Sequence, residues 1–392
     1  MIKNILIYTD ISDNDSSIRS NFIELGCHCV EFSDRFQDEH NDADFVMKLL
    51  HCMRTENVDL VFSKGYFPLL ATACEMQKTP YASWIYDLPN NSLLSKTVLY
   101  QHNYLFCFDS VYAQWLLRMG CCHVFHFPLA VDVCASADCI QEGETAAYIA
   151  DISYVGDLYG AEKGWLDVEG ISEYTQGYIS GIEEAQIRVY GYNFVKEMIG
   201  DEMSRDIQQK VGLQLGDMYF DSPMQRAADL VNQEITQKEH IRIIERLSES
   251  HQIHLYTDSC YEGIGNIRLC SVVDSRRDMP FLYRNSKINL NITSKAIESG
   301  IPQKVLDILA CGGFCISNYQ TEIADHFEDG KELVMYTDME DLIQKVEWYL
   351  RHDEERMAIA RAGCRKVKEQ FSMRDRLKDM LKIVVEDLEW EE

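Results

Sequence analysis

The stretch from Lys287 to Asn318, KINLNITSKAIESGIPQKVLDILACGGFCISN, constrains the fold more than any other part of this chain. It opens with a short apolar run (Ile288, Leu290, Ile292) of the kind that a buried parallel strand makes. A polar loop leads to Gly300-Ile301-Pro302. From Pro302 the apolar residues Val305, Leu306, Ile308 and Leu309 recur at helical spacing until Cys311-Gly312-Gly313 stops the helix. Phe314-Cys315-Ile316 then begins another strand. The segment is a strand–loop–helix–strand unit with proline at the helix start, where a missing N–H costs nothing. Such a helix start points at the carboxyl end of a parallel sheet, where α/β proteins bind anionic ligands.

The chain has 392 residues, which fits two domains of ordinary size, and 46% of them are hydrophobic, enough for two cores. Net charge is −27, with acids spread along the whole length and no basic block. That disfavours nucleic acid or an anionic membrane surface as the main partner, since either needs a positive footprint. It leaves room for a small anion, which one helix start and one or two cations can hold. The 14 cysteines include no CxxC and no zinc-like spacing with histidine, so they read as small buried hydrophobes in a reducing cytoplasm. The sequence enters a strand directly at MIKNILIYTD, without a signal-peptide pattern or a membrane-length apolar run. The expectation is a soluble cytoplasmic protein.

Strand patterns at 4–10, 27–33, 58–63, 81–86, 104–108 and 123–127 alternate with helical ones in the first third of the chain, notably 45–56 and 110–119. That alternation predicts a doubly wound parallel sheet. Periodicity fades after Val131, and a second strand series begins at DISYVGDLYG (151–160). Residues 165–250 are polar and helical, ending in a helix over 238–250; strands follow at 251–258 and 266–273, and three amphipathic helices at 339–351, 353–369 and 372–389. The expected organisation is a domain over 1–135, a linker over 136–150, a second domain over 151–370 with a helical elaboration at 165–250, and a helix over 371–392 crossing back to the first domain.

SGIPQKVLDILACGGFCISNYQTEIADHFEDGKELVMYTDMEDLIQKVEWYLRH resembles the C-terminal half of the spore-maturation CgeB-type glycosyltransferases, relatives of the large GT-B group. The first half resembles the N-terminal domain of the same enzymes through PYASWIYDLPN, SKT, NYLFCFD and VFHFPLAVD, in that order. The resemblance implies two Rossmann-like domains facing a cleft, with a nucleotide-sugar donor, UDP-linked, on the C-terminal one. On that reading Asp307 accepts from the ribose hydroxyls, with Glu298 as a second acid, although eight residues separate the two where the wider group has seven. Gly300, Ile301 and Pro302 offer backbone N–H groups at the helix start, and Lys304 a cation beside the diphosphate. Tyr256 and Thr257, at the end of HLYT, and Asn291 and Thr293, at the end of NLNIT, lie where strand ends meet the ligand. Glu162-Lys163-Gly164 resembles the entrance of retaining donor domains, which gives Lys163 a phosphate role, but Asp157 stands where those enzymes carry arginine. The first strand is followed by Tyr8-Thr9-Asp10-Ile11-Ser12-Asp13 instead of a glycine-rich loop, so no phosphate nest forms there.

Sugar transfer builds positive charge on the sugar and negative charge on the leaving phosphate, and an inverting enzyme adds a base for the acceptor. Asp87, at the end of YASWIY, is the first candidate for that base, with an Asx-turn or helix cap as its structural alternative. His126 in VFHFP is the second, weighed against a core histidine. His102 and Lys64 are weaker. Asp42-Ala43-Asp44 matches a metal-binding DxD string but sits in an acidic helical run and reads as solvated surface, so neither metal nor cofactor is expected. The acceptor (protein, polysaccharide or small molecule) is open. Two other readings stay alongside: a non-catalytic sugar-nucleotide-binding scaffold and a sugar-nucleotide epimerase on the same fold.

Overall fold

The computed structural model describes residues 2–9, 16–132, 149–158, 170–212, 215–259, 265–270 and 278–391. The chain divides into two compact units. The first comprises Met1–Asp132, Leu215–Asp221 and Phe371–Glu392; the second comprises Val133–Gln214 and Ser222–Gln370.

In the first unit β1 (Asn4–Tyr8), β2 (His28–Phe32), β3 (Leu60–Lys64), β4 (Tyr81–Ile85), β5 (Asn103–Cys107) and β6 (His123–His126) form one parallel sheet in the order β2-β1-β3-β4-β5-β6. The central strands are buried on both faces, which is why they read as unbroken apolar runs. Helices α1 (Ser16–Glu24), α2 (Ala43–Thr55), α3 (Pro68–Gln77) and α4 (Ser110–Met119) make crossovers. Local chemistry sets their ends: Asp42 accepts from Phe45 N at 3.0 Å to start α2, and Asp109 accepts from Tyr112 N at 2.9 Å to start α4. Gly120, at φ +96°, ends α4 in the left-handed region that glycine adopts without strain.

Two later segments complete this unit. Residues 215–221 lie along 94–96, with Lys96 N donating to Met218 O at 2.8 Å and Phe220 N to Leu94 O at 2.9 Å, while Tyr219 Oη donates to Glu39. At the other end of the sequence Val131 and the 371–373 segment exchange backbone bonds of 2.9 Å each. The last helix then places Asp387 between Tyr104 Oη (2.8 Å) and His123 Nδ1 (3.0 Å).

The second unit holds the other parallel sheet, in the order β12-β11-β10-β7-β8-β9. Its strands are β7 (Ala150–Val155), β8 (Ile253–Tyr256), β9 (Ile267–Cys270), β10 (Ser286–Asn291), β11 (Cys315–Asn318) and β12 (Val334–Tyr336). Between β7 and β8 come α5 (Glu173–Gln186), α6 (Val195–Met198), α7 (Asp201–Val211) and α8 (Pro223–Ser248). The helix expected over 238–250 is the end of this much longer α8, and its first half is buried through Ala227, Ala228, Val231 and Ile235 against α5–α7. That half looked irregular in sequence because its apolar side chains serve a small separate core. The remaining helices are α9 (Met279–Asn285), α10 (Gln303–Ala310), α11 (Thr321–His326), α12 (Met339–Arg351) and α13 (Asp353–Gln370), with α14 (Met373–Glu391) in the first unit.

The second core gathers Ile152, Leu255, Ile288, Leu290, Ile316 and Val334 from the sheet with Leu342, Val346 and Ile359 from α12 and α13. Each such side chain contributes roughly 1.5–3 kcal/mol by leaving water. Helix α13 reaches its position through Gly363, where an added Cβ would stand 2.2 Å from Glu332 O and 2.8 Å from Leu309 Cδ2. Neither atom has room to retreat, since one is backbone and the other a core side chain. Gly363→Ala is therefore expected to lower stability by about 1–3 kcal/mol through overpacking. A urea midpoint unchanged from the parent would show that α13 can shift without cost.

Candidate functional site

Every described donor-side residue anticipated from sequence falls at the carboxyl ends of the second sheet or on the helix that follows β10. Helix α10 starts after Pro302, whose backbone is extended (φ −62°, ψ 141°) and whose side chain makes no cap hydrogen bond. Gly300, Ile301 and Pro302 are buried and lead the chain into that turn. Asp307 lies one turn further on, half-buried, accepting from Gln303 Nε2 at 2.8 Å.

Lys304 is the most informative side chain. Its ammonium reaches over the Tyr154 ring, 4.6 Å from the centroid, toward Gly156 at the end of β7. A Cβ on Gly156 would stand 2.7 Å from Lys304 Nζ, and the φ of +146° independently requires glycine there. Among the described residues Lys304 has no carboxylate partner. Burial of the ammonium pulls its pKa from 10.5 down to about 8, with only a small opposing influence from Cys315.

The neighbouring strand ends are braced. Gly156 N donates to Tyr256 O at 3.0 Å, Leu158 N to Ser259 Oγ at 3.0 Å, and Ser259 Oγ to Asp157, so the acid at the arginine position is held in the loop. Thr257 Oγ1 accepts from Ser259 N at 3.1 Å and is committed to this turn. Tyr256 packs toward β9, where burial and then Cys270 push its hydroxyl up to about 12. Asn291 is fully buried and spends its amide on Thr293 Oγ1 (3.0 Å) and Ser317 Oγ (2.9 Å), while Asn318 Oδ1 accepts from Thr293 N at 2.8 Å. Asn291 thus shapes the end of β10.

A narrow cleft of about 20 Å³, room for about one water, opens there, and Thr293, Lys295, Glu298, Asn318, Tyr190 and Tyr192 are among the residues lining it. Glu298 is in this lining; among the described lining residues Asp307 is not. The sequence reading passed over Lys295. It is nearly buried, pairs with the buried Glu239 at 3.0 Å, and stands 4.3 Å from the Tyr190 ring centroid. Burial raises the Glu239 carboxyl, and Lys295 opposes that rise. Helix α8 fixes the same loop from behind: Thr236 Oγ1 accepts from Lys295 N at 3.0 Å, and His240 Nε2 contacts Ile292 O at 3.1 Å. Burial drives His240 down to about 3, with Lys304 and Lys295 adding to the fall, so the imidazole is neutral at physiological pH. The Tyr190-Gly191-Tyr192-Asn193 run was the available signal for this wall. Gly191 has a φ of +75°, and a Cβ there would lie 2.5 Å from the Tyr319 ring. Lys163 lies outside the described residues.

In the first unit Asp87 follows the carboxyl end of β4 and His126 is the last residue of β6, and both are exposed. His126 is therefore not the core histidine considered as its alternative; it closes an edge strand. Beside Asp87, Lys64 sits 4.6 Å from the Tyr86 ring centroid. Asp42 of the DxD string caps α2, and Asp44 pairs with Lys48 at 2.9 Å. Among the described residues no group of three or more His, Cys, Asp or Glu side chains has the arrangement of a metal site. No described helix is long and apolar enough to cross a membrane.

Residues 237–382 match a family model described as "Glycosyl transferase-like". Among solved structures, sucrose-phosphate synthase from Thermosynechococcus elongatus superposes with a TM-score of 0.52 at 9% identity, over 98% of this chain and 99% of that one. HepE from Anabaena in complex with UDP-glucose gives 0.51 at 10% identity, over 98% and 99%. No protein of curated function matches in sequence. Likeness at this identity establishes the GT-B fold, and the matched segment carries β8–β12 with the Lys304–Asp307 helix. The fold is thus that of the GT-B class, and residues 237–382 carry the glycosyl transferase-like match.

The Lys304 geometry has a consequence for stability. A lysine whose folded pKa is depressed binds its proton less readily in the native state than in the unfolded chain. The penalty is full below about pH 8 and disappears as pH rises toward 10.5, where the unfolded amine also loses its proton. Lys304→Met should therefore be more stable than the parent by roughly 1–2 kcal/mol near neutrality. Chemical denaturation across the alkaline range should show that gap closing; a constant gap would mean the ammonium is not desolvated.

Proposed function

We propose that this enzyme transfers a sugar from a UDP-sugar to an acceptor not yet identified, and that it belongs with the CgeB-type transferases. The observation that carries the reading is Lys304, a desolvated cation without a described carboxylate partner, set against Gly156 beside the start of α10. A diphosphate is the ligand such a place accommodates: the ammonium supplies charge, the helix start supplies N–H groups, and Gly156 leaves space where a side chain would intrude. HepE, which shares the fold, has been solved with UDP and glucose, and with UDP-glucose. That supports choosing uridine first.

In this mechanism Lys304 and the first turn of α10 stabilise the charge that grows on the leaving diphosphate, without a metal ion or cofactor. Asp307 accepts from the ribose hydroxyls after exchanging Gln303, and Lys295, held by Glu239, presents a second cation to the adjoining cleft. The first unit binds the acceptor. Asp87, exposed at the end of β4, receives the acceptor proton, and His126 orients the acceptor. The reaction takes place in the cytoplasm.

Calorimetric titration with UDP, GDP and dTDP, followed by donor hydrolysis with the matching sugar nucleotide, tests this directly. UDP should bind best, and Lys304→Ala should weaken it tenfold or more, about 1.4 kcal/mol. Affinity should fall as pH rises past about 8, because the ammonium loses its proton, and Lys304→Arg should remove that fall. Asp307→Ala should weaken UDP but leave inorganic pyrophosphate binding intact. Asp87→Asn should spare UDP binding and lower transfer. Equal binding of UDP by the parent and Lys304→Ala would end the diphosphate assignment, and interconversion of the free sugar nucleotide would identify an epimerase instead.

A further inference from the structure

A second concavity in the same unit lies away from this site, past the C-terminal end of α10. It has a volume of about 460 Å³, within the size range of small-molecule pockets. One wall is a stripe of α13: Arg361, Arg365 and Lys368, at relative positions 0, 4 and 7, share one face of the helix. Arg284 of α9 contributes another wall, Cys364 lies between the α13 cations, and Glu369 is the one acid among the lining residues.

This arrangement runs against the composition of the chain. Acids outnumber basic residues 64 to 37, so a lysine or arginine chosen at random has carboxylates within easy reach. Arg361, Arg365 and Lys368 nevertheless have no carboxylate partner among the described residues. Like charges one turn apart also weaken a helix. The final carbonyls of α10 attract a cation, but one suffices for a helix end, and Cys364 Sγ already donates to Ala310 O at 3.5 Å. A stripe two turns long is more than that end requires.

We infer that this groove is a binding site for a soluble phosphorylated small molecule, separate from the place assigned to the sugar nucleotide. Guanidinium forks on α13 grip phosphate oxygens in pairs, Lys368 adds a point charge, and the space beside Cys364 takes the body of the ligand. A free anion suits the groove better than a membrane, because the net charge of −27 repels an anionic surface as a whole while leaving a compact anion room to enter.

The experiment is calorimetric titration of the full chain with inorganic pyrophosphate, accompanied by peptide-mapped alkylation of Cys364. The parent, Arg361→Glu/Arg365→Glu and Lys304→Ala are compared, with Lys368→Glu as a second groove variant should the double substitution impair folding. The proposal expects a submillimolar event that survives Lys304→Ala, weakens at least tenfold in the groove variants, and slows Cys364 alkylation several-fold in the parent and in Lys304→Ala but not in the groove variants. Loss of all pyrophosphate heat and of Cys364 protection in Lys304→Ala would overturn it, since the anion would then sit at the first site alone. Absence of both heat and Cys364 protection at millimolar pyrophosphate would also overturn it. So would binding to vesicles of phosphatidic acid and phosphatidylcholine without any response to pyrophosphate.

Discussion

The close approach of Lys304 to Gly156 sets the terms for the rest of the second unit. An ammonium placed there must be carried by a helix that begins at the right height over the sheet, and Pro302 fixes that beginning. It must also meet a strand end with no side chain, which Gly156 provides. Tyr154 gives the charge an aromatic face in place of water. What this leaves is a cation with part of its solvation removed and no described acid to replace it. An uncompensated buried charge is a net cost to the fold, and an anion bound beside it would remove that cost.

The same unit treats its second cation differently. Lys295 is paired with a carboxylate that is itself buried, and the long helix α8 secures its loop through Thr236 and His240. Removing either partner of a buried pair strands the other, which makes the pair a rigid support for the cleft wall. One lysine is therefore tied into the framework and the other is held in reserve. This division explains why α8 is so long: its first half packs on α5–α7, and its second half reaches under β10 to brace the loop.

Much of this was legible in the chain because parallel strands buried on both faces announce themselves as apolar runs. The strand–loop–helix–strand unit from Lys287 to Asn318 was visible for that reason, and so were α4, α12 and α13. Less legible was whatever depends on tertiary proximity. Lys295 sits in an ordinary polar loop, and only the fold brings Glu239 and Tyr190 to it. Residues 215–221 are interior to a helical stretch, yet their backbone pairs with 94–96 in the first unit, which no local pattern records. The amino half of α8 hid because its apolar face serves a core of its own. Asn291 was expected near a ligand and is near the site, but its amide is consumed within the sheet.

Asp307 shows how a motif and a geometry divide the labour. The sequence motif placed an acid on α10, and the structure puts it within reach of Gln303 but outside the lining of the cleft that holds Glu298. A carboxylate one turn inside a helix faces sideways, because side chains lean toward the helix start. A ligand of the proposed kind would have to lie along the flank of α10 to meet it, with Lys304 and the first turn facing the part over the helix end. A nucleoside diphosphate has that bent outline, with ribose hydroxyls beside the helix and phosphates above it. The spacing of three residues between Lys304 and Asp307 is close to one turn of helix and thereby keeps the two groups on one face, Asp307 a turn further along. On the proposed reading the helix, and not either residue alone, is the unit of recognition.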